Sequence, residues 1–211
     1  MGTKSWYWRS LGGLWMLGLV AGAGAAQAQG PHLTLRAFAS NVDLLTGRTS
    51  ETRNLSAQDS FVLNVFEKKQ WYGADLDARL SPNLSLDLTA SQGKLEEVLF
   101  TSHAGQTLAQ QRTSTLRYNT LSLLLHPVPG HLFDFYLGPS LGQAHFDRAF
   151  ASSEDERAQG GKVGIDLQLG ETRILLSAQL SILTSGFRVA DGSQKHNVTY
   201  RVAAAGLGYR F

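Results

Sequence analysis

Apolar and polar residues alternate with a period of two along much of the chain, most clearly in residues 197–211. One face of this segment holds Ala203, Ala205, Leu207, Tyr209 and Phe211. The other face holds Ala204, Gly206, Gly208 and Arg210. Such alternation predicts a β-strand with one apolar face. Chain ends are usually frayed and polar, whereas this strand runs to an aromatic last residue. That ending is typical of the closing strand of a membrane barrel.

The same alternation recurs in seven earlier segments. The predicted strands are residues 32–42, 72–80, 84–91, 113–125, 133–140, 163–169, 174–182 and 197–211. A tilted membrane β-strand needs about 9 to 11 residues, and these segments have about that length.

The predicted connections alternate between long and short. Residues 81–83, 126–131 and 170–171 have turn compositions, and the Pro-rich middle one cannot lie inside a ladder. Residues 43–70, 92–112, 147–160 and the region around Asp191 are predicted as longer, polar connections. Within the first of these, the apolar residues 61–66 fit either a short helix or an extension of the next strand. Short turns at one end and long loops at the other are typical of transmembrane barrels.

The first 28 residues have the composition of a secretory signal peptide. Lys4 and Arg9 precede an apolar run over residues 11–25, and Ala26-Gln27-Ala28 matches a small-residue cleavage site. We therefore expect a signal peptide at residues 1–28 and a barrel domain at residues 29–211, with an uncleaved anchor as the alternative. Removing Lys4 and Arg9 from the 19 basic residues leaves 17, against 17 acidic ones. This balance argues against a nucleic-acid partner.

Alternation alone leaves open whether the apolar face points inward or outward. A soluble barrel of the lipocalin kind would bury that face and hydrate the other. The aromatic terminus, the unequal loops and a signal peptide on a chain without cysteine favour an apolar face toward lipid. The sequence thus predicts an all-β, eight-stranded antiparallel up-and-down transmembrane β-barrel. We expect it to be a monomer in bacterial outer-membrane lipid, with no cofactor.

In that arrangement several charged residues point into the lumen. They are Arg36, Asp75, Asp77, Arg79, Asp87, Asp134, Asp166 and Arg210. The interior of an eight-stranded barrel is only wide enough for side chains, so we expect these charges to pair and to plug the lumen. This interpretation is preferred over a catalytic or transport site.

The extracellular half of the predicted lumen carries small residues instead. These inward positions are Gly73, Ser91, Gly138, Ser140, Gly142, Gly164 and Ser181. They leave room for a ligand cavity, or for aromatic side chains such as Trp71 and Phe146, or for the first loop. The sequence leaves these alternatives open.

Candidate chemical motifs are weak. His126 and His131 flank the Pro-rich turn, but two histidines without a third ligand predict interfacial side chains rather than a metal site. Ser102 and His103 are adjacent in sequence, where a nucleophile and its base seldom pair. We expect no catalytic, cofactor or metal residues and no enzyme activity. Outward aromatic residues, including Tyr72, Phe133 and Tyr209, fit interfacial girdles.

Three segments resemble one known family. The hairpin around residues 81–83, the strand segment at residues 135–142 and the terminal Gly208-Tyr209-Arg210-Phe211 are similar to the OmpW-like small outer-membrane barrels. The resemblance implies a barrel that passes small hydrophobic compounds sideways into the bilayer. It also implies recognition by the barrel assembly machinery through Gly206, Tyr209 and Phe211, although Ala204 departs from that pattern. The acidic interior departs from the apolar lumen expected of transporting members.

Three functions therefore remain as hypotheses. The first is a mainly structural barrel with a small extracellular-side cavity that admits small hydrophobic molecules. The second is a surface interaction barrel that acts through its long loops. A lipid-modifying enzyme is the least favoured, because no Ser-His-acid set has a suitable placement.

Overall fold

The computed structural model describes residues 32–46, 50–54, 60–66, 71–103, 106–128, 132–149, 152–188 and 195–211. The predicted signal peptide lies outside these residues. Ten strands are described: β1 (Leu33–Thr46), β2 (Ser50–Asn54), β3 (Ser60–Phe66), β4 (Trp71–Ser81), β5 (Leu84–His103), β6 (Gln106–Val128), β7 (Phe133–Asp147), β8 (Glu154–Gln168), β9 (Ile174–Arg188) and β10 (Lys195–Arg210). Among the described residues, no helix has the length and apolar character needed to span a membrane.

Eight of these strands close into a ring. The order β5-β4-β1-β10-β9-β8-β7-β6 returns to β5, and every neighbouring pair is antiparallel. The first and last strands close the barrel from Thr34 opposite Arg210 up to Thr46 opposite Thr199. The amide of Phe211 then donates to the carbonyl of Leu33 at 2.8 Å. The predicted fold class and the closing role of the last strand are confirmed.

The apolar face points outward. Leu121, Leu141 and Leu207 are 53%, 65% and 57% exposed, whereas Arg36 and Asp75 on the opposite face are 1% and 0% exposed. A soluble barrel would show the reverse. The exposed leucines therefore form a belt around the wall, as expected for contact with lipid.

The three short turns lie at one end of the barrel, together with the first and last paired residues. We call this the turn end and the opposite end the loop end. One predicted loop there is wrong. Residues 92–112 are not a polar connection, because β5 and β6 stay paired to His103 opposite Gln106. Apolar and polar side chains occur on both faces of these residues and remove the period-two signal, but the backbone ladder continues without it.

Two other loop predictions are corrected. The first connection contains β2 and β3, and β3 extends the wall along the upper part of β5, from Ser60 opposite Ser102 to Phe66 opposite Glu96. Residues 61–66 are therefore a strand rather than a helix. The third predicted loop is shorter than expected, since β8 begins at Glu154. Asp191, in the fourth, lies outside the described residues.

Strand β1 is paired unequally on its two sides. Its ladder with β10 continues to Thr46, whereas its ladder with β4 ends where Ser40 faces Trp71. Toward the loop end beyond Trp71, the strand that pairs with β5 on this side is β3 instead of β4. The β1–β4 seam is thus the shorter of the two seams along this strand.

Candidate functional site: the barrel lumen

The inward residues form two layers. We call the layer nearer the turn end the charged cluster: Arg36, Asp75, Asp77, Asp87, Lys162 and Asp166. The apolar layer lies toward the loop end and consists of Val42, Trp71, Leu95, Leu116, Tyr118, Ala144, Phe146, Ala158, Leu183, Val198, Tyr200 and Val202. Both layers follow from the inward parity of the strands, which sends every second side chain into the lumen.

Arg36 is the centre of the charged cluster. Its Nη1 donates to Asp75 Oδ1 at 2.9 Å, and its Nη2 donates to Asp166 Oδ2 at 2.6 Å and to Asp77 Oδ2 at 3.2 Å. Its Nε donates to both oxygens of Asp166 at 3.1–3.2 Å. The guanidinium carbon also lies 5.1 Å from the ring centroid of Tyr136. Five N–H donors in a planar fork suit Arg to such a multiple contact.

Lys162 is a member of the cluster that the sequence interpretation missed. Its Nζ donates to Asp87 Oδ1 at 2.6 Å, to Thr89 Oγ1 at 2.8 Å and to Asp75 Oδ2 at 3.3 Å. The residue was missed because the predicted strand began at residue 163, whereas β8 begins at Glu154. Extending the alternation of Gly164 and Asp166 backwards would have placed Lys162 on the same inward face.

A second polar group lies nearer the turn. Arg79 pairs through Nη2 with Asp134 and donates from Nη1 to the carbonyl of Pro82 at 2.8 Å. His126 is fully buried, with Nδ1 2.9 Å from Asp134 Oδ1 and Nε2 2.9 Å from Ser85 Oγ. Its predicted interfacial position is therefore wrong, because the inward parity of β6 continues into the Pro-rich turn. His131 lies outside the described residues.

Arg210 lies beside these two groups. It is half-buried, and its Nη1 donates to Gln168 Oε1 at 3.1 Å. Of the three residues expected to form an assembly signal, Gly206 and Tyr209 lie on β10 with Arg210, and Phe211 directly follows it. The rings of Tyr209 and Phe211 meet edge to face with centroids 4.9 Å apart, and Gly206 faces Phe38 on β1.

Large rings fill the space left by the small inward residues. A Cβ atom on Gly73 would lie 2.7 Å from the Phe38 ring. A Cβ atom on Gly93 would overlap the ring of Trp71, and one on Gly164 would overlap that of Tyr136. The missing side chain of each glycine thus leaves the space that one aromatic ring occupies.

The apolar layer is held together by ring contacts. Trp71 stacks on Tyr118, and Tyr118 meets Tyr200 edge to face, with centroids 5.5 Å apart in both pairs. Trp71 and Phe146 are 1% and 3% exposed. Of the alternatives that the sequence left open, the structure therefore places aromatic rings in the loop-end half of the lumen.

A buried ion pair covers the apolar layer at the loop end. Glu97 Oε1 accepts from Arg148 Nε at 2.7 Å, and its Oε2 accepts from Ser114 Oγ at 2.6 Å and from the Ala149 amide at 2.9 Å. Since a strongly hydrogen-bonded carboxylate stays fixed, Glu97 holds the start of the β7–β8 connection over the lumen.

On the outer face of β7 and β8, His145 contacts two carboxylates, and we call this group the histidine clamp. His145 places Nδ1 2.6 Å from Asp155 Oδ1 and Nε2 2.9 Å from Asp147 Oδ1. Partial burial opposes the charged imidazolium, but the hydrogen bonds to Asp155 and Asp147 outweigh it and raise the pKa of His145 above its ordinary value of 6.5. Burial of Asp147 is likewise outweighed by its bond to His145, so the pKa of Asp147 is lowered.

The described lumen residues pair and pack against one another, and they include a hydrogen-bonded set of Ser85, His126 and Asp134 that is buried near the turn end. Within the described ranges, no group of three or more His, Cys, Asp or Glu side chains is placed to hold a metal ion. The carboxylates of the charged cluster bond to fixed cations.

Comparison with solved structures supports the fold. The outer membrane protein OprG from Pseudomonas aeruginosa matches with a TM-score of 0.58 and 18% sequence identity, over 87% of this chain and 97% of that one. The outer membrane protein AlkL, solved in lipid bilayers, matches with a TM-score of 0.58 and 17% identity, over 90% of this chain and 94% of that one. No protein-family model and no curated protein sequence matches the chain.

Both matched proteins are eight-stranded outer-membrane barrels of the OmpW family. The resemblance expected from the sequence is therefore confirmed at the level of fold. The predicted outer-membrane location agrees with the location of both proteins.

Proposed function

We propose that this chain is an outer-membrane barrel that admits small apolar molecules into the apolar layer of its lumen, where the packed rings move apart to make room, and releases them sideways into the bilayer. The charged cluster beneath that layer blocks water and ions. The signal peptide at residues 1–28 directs export of the chain. The barrel assembly machinery then recognises Gly206, Tyr209 and Phe211. The barrel acts as a monomer surrounded by outer-membrane lipid.

One observation carries the proposal. Trp71 belongs to the apolar layer, and it is also the last residue of the β4 ladder with β1. The apolar interior and the end of a wall seam therefore meet at one side chain. Moving an apolar molecule from water into such a layer costs little free energy, whereas an ion would lose the water molecules that hydrate it.

The charged cluster supports the direction of release. A molecule entering from the loop end meets buried ion pairs centred on Arg36 beneath the apolar layer. Burying an apolar molecule among these charges would displace hydrogen bonds without replacing them. Leaving through the wall at the end of the β1–β4 ladder therefore costs less free energy than passing through the charged cluster.

Uptake of an apolar fluorescent dye by Gram-negative cells expressing the chain tests the proposal. The Leu116→Asn variant places an amide in the apolar layer and should reduce uptake several-fold. Leu108→Asn is the matched control, because Leu108 is 67% exposed on β6. Heat-modifiable gel migration confirms folding of both variants, and Val202→Thr replaces Leu116→Asn if the latter fails to fold.

Equal uptake by folded Leu116→Asn, Leu108→Asn and wild-type protein would contradict the proposed path. Planar bilayers test the seal independently. We expect no steady ion conductance from the purified barrel, and a large aqueous conductance would contradict blockage by the charged cluster.

A surface interaction role is the second candidate. This role is favoured by the length of the β5–β6 hairpin. Its two strands stay paired for ten residues of β5 beyond Gly93, where the β4–β5 ladder ends, out to His103 opposite Gln106. Residues 106–113 of β6 are exposed on both faces. Deleting residues 98–111 removes whole rungs of this hairpin and should abolish adhesion of expressing cells to host-cell monolayers. Unchanged adhesion by a correctly folded deletion variant would exclude this role for the hairpin.

A further inference from the structure

The indole nitrogen of Trp71 is a buried hydrogen-bond donor without an acceptor. The side chain is 1% exposed, and its Nε1 has no hydrogen-bond partner among the residues that the structure describes. A buried indole N–H is normally paired, because an unpaired buried donor has lost its water without gaining a replacement. The missing acceptor therefore calls for an explanation.

Other polar rings of the lumen show how such groups are usually satisfied. The Tyr200 hydroxyl accepts from Ser185 Oγ at 3.3 Å, and the Tyr136 hydroxyl donates to Gln179 Oε1 at 3.5 Å. The hydroxyl of Tyr118 resembles the indole instead, because it is buried without a described partner. The two unpaired groups thus belong to one stacked pair of rings in the apolar layer.

Trp71 also faces a second unpaired group across the wall seam. Ser40 and Trp71 are directly opposite in register, at the last rung of the β1–β4 ladder, and both occupy inward positions. The Ser40 Oγ atom is buried and has no hydrogen-bond partner in the described part of the chain. The end of this seam is the exit of the proposed path, so polar groups without partners lie where a molecule would leave the lumen.

The apolar layer itself has little to offer these donors. Apart from Trp71 and two tyrosines, its members have hydrocarbon side chains, and none is charged. A carboxylate or phosphate group entering this layer would be buried without a cation, at a high cost in free energy. A neutral carbonyl oxygen accepts a hydrogen bond and adds no donor that needs a partner of its own.

We propose that the molecules carried by this barrel are apolar compounds with one neutral acceptor oxygen, such as small ketones and esters, and that this oxygen accepts the indole N–H of Trp71. The inference rests on the proposed function and narrows its substrate class. Inside the bilayer core a carbonyl oxygen finds no donor, so it gains a hydrogen bond on entering the apolar layer. A hydrocarbon of the same shape gains only packing contacts.

NMR of the isotope-labelled barrel, purified from outer membranes into detergent micelles, observes the indole N–H directly. Trp71 is the only tryptophan in residues 29–211, and the loss of its resonance in Trp71→Phe confirms the assignment. The two probes are methyl hexyl ketone and the alkene in which a CH₂ group replaces the carbonyl oxygen. The ketone should move the indole proton downfield, as expected for a new hydrogen bond, and the alkene should not.

Displacement of an apolar fluorescent dye from the barrel gives a second readout. Wild-type protein should bind the ketone about 2- to 10-fold more tightly than the alkene, as expected for one net hydrogen bond. Trp71→Phe keeps an aromatic ring without the N–H and should lower this ratio toward one. Phe146→Leu is the matched control, because it changes another ring of the apolar layer but removes no donor, and it should keep the ratio. Heat-modifiable migration confirms folding, and the NMR comparison of the two probes on wild-type protein remains decisive if a variant fails to fold.

The outcomes separate this inference from the proposed function. Equal binding of the ketone and the alkene to wild-type protein would overturn the inference and leave uptake of apolar molecules standing. Binding of neither probe would contradict the proposed function, and the inference with it. An unchanged preference for the ketone in folded Trp71→Phe would overturn the role of the indole. An indole proton that is hydrogen-bonded before any probe is added, and that the ketone does not move, would also overturn it by assigning the acceptor to a bound water molecule.

Discussion

The ring of Trp71 occupies the position that a Cβ atom on Gly93, its cross-strand partner, would take. The ring is 1% exposed, and it stacks on Tyr118. Gly93 therefore has a packing role that its sequence context does not reveal. The indole needs the missing side chain in order to lie inside the wall.

Gly93→Ala should destabilise the barrel by about 1–3 kcal/mol, because the added methyl overlaps the indole and forces it from its position. Urea unfolding followed by tryptophan fluorescence measures the change. Gly161→Ala is the matched control, since its Cβ would meet only the Gly138 carbonyl oxygen, at an ordinary contact distance of 3.4 Å. Equal stability of the two variants would show that the Trp71 ring moves without cost.

Arg36→Met should destabilise the barrel by about 3–5 kcal/mol, because it removes one partner from a set of buried ion pairs. Four carboxylates would then share Lys162 alone. The loss is measured as a lower urea midpoint or as failure to show heat-modifiable migration. Arg173→Met, at an exposed turn position, should behave like wild type. A stable, correctly folded Arg36→Met variant would mean that the carboxylates do not require the cation.

His145 should make the β7–β8 rim sensitive to pH. Its pKa is raised in the folded state, so its contribution is complete below the unfolded value of 6.5 and is lost as pH rises through the folded value. Asp147 has a lowered pKa, so its contribution is present above 3.8 and is lost as pH falls through its folded value. The clamp is therefore strongest between these two limits.

NMR titration of the His145 ring measures its pKa directly, and we expect a value above 6.5. Asp155→Asn removes one charged acceptor and should lower that pKa. A value at or below 6.5 in the wild-type protein would contradict the clamp geometry.

Glu97→Ala should loosen the β7–β8 connection while leaving the membrane-spanning wall intact. It leaves the Arg148 guanidinium without its Glu97 partner and the Ala149 amide without its carboxylate acceptor. Limited proteolysis of cells carrying the variant should cut near residues 148–153 faster than in wild type. Glu97→Gln keeps an acceptor oxygen and should show an intermediate rate. Equal cleavage of all three proteins would contradict the role of Glu97.

Deletion of Phe211 should lower the amount of protein in the outer membrane more than it lowers the stability of barrels already folded. The deletion removes an aromatic residue of the expected assembly signal but only one backbone bond to Leu33. Quantitative immunoblotting of outer-membrane fractions, alongside urea unfolding of refolded protein, separates the two effects. Wild-type amounts in the membrane would contradict the assembly role.

The amino-acid sequence by itself determined the eight spans and, within the clearly alternating segments, which residues share a face. Inside a bilayer one side of every strand meets lipid and the other meets the lumen, so period-two alternation is enforced and can be read directly. Once the apolar face is taken to contact lipid, the alternation assigns Arg36, Asp75 and Asp166 to the lumen. The closing strand is identified by the same pattern.

Only the tertiary structure decided which inward residues meet. Arg36 and Asp166 are 130 positions apart, and their contact depends on how the strands are staggered around the ring. Lys162 and His126 join the interior because the ladders extend beyond the clearest alternation. The rings of Trp71 and Tyr136 enter spaces provided by glycines on neighbouring strands. The long β5–β6 hairpin also needed the structure, because its apolar residues, among them Val98, Leu99 and Phe100, fall on both faces and give no period-two signal.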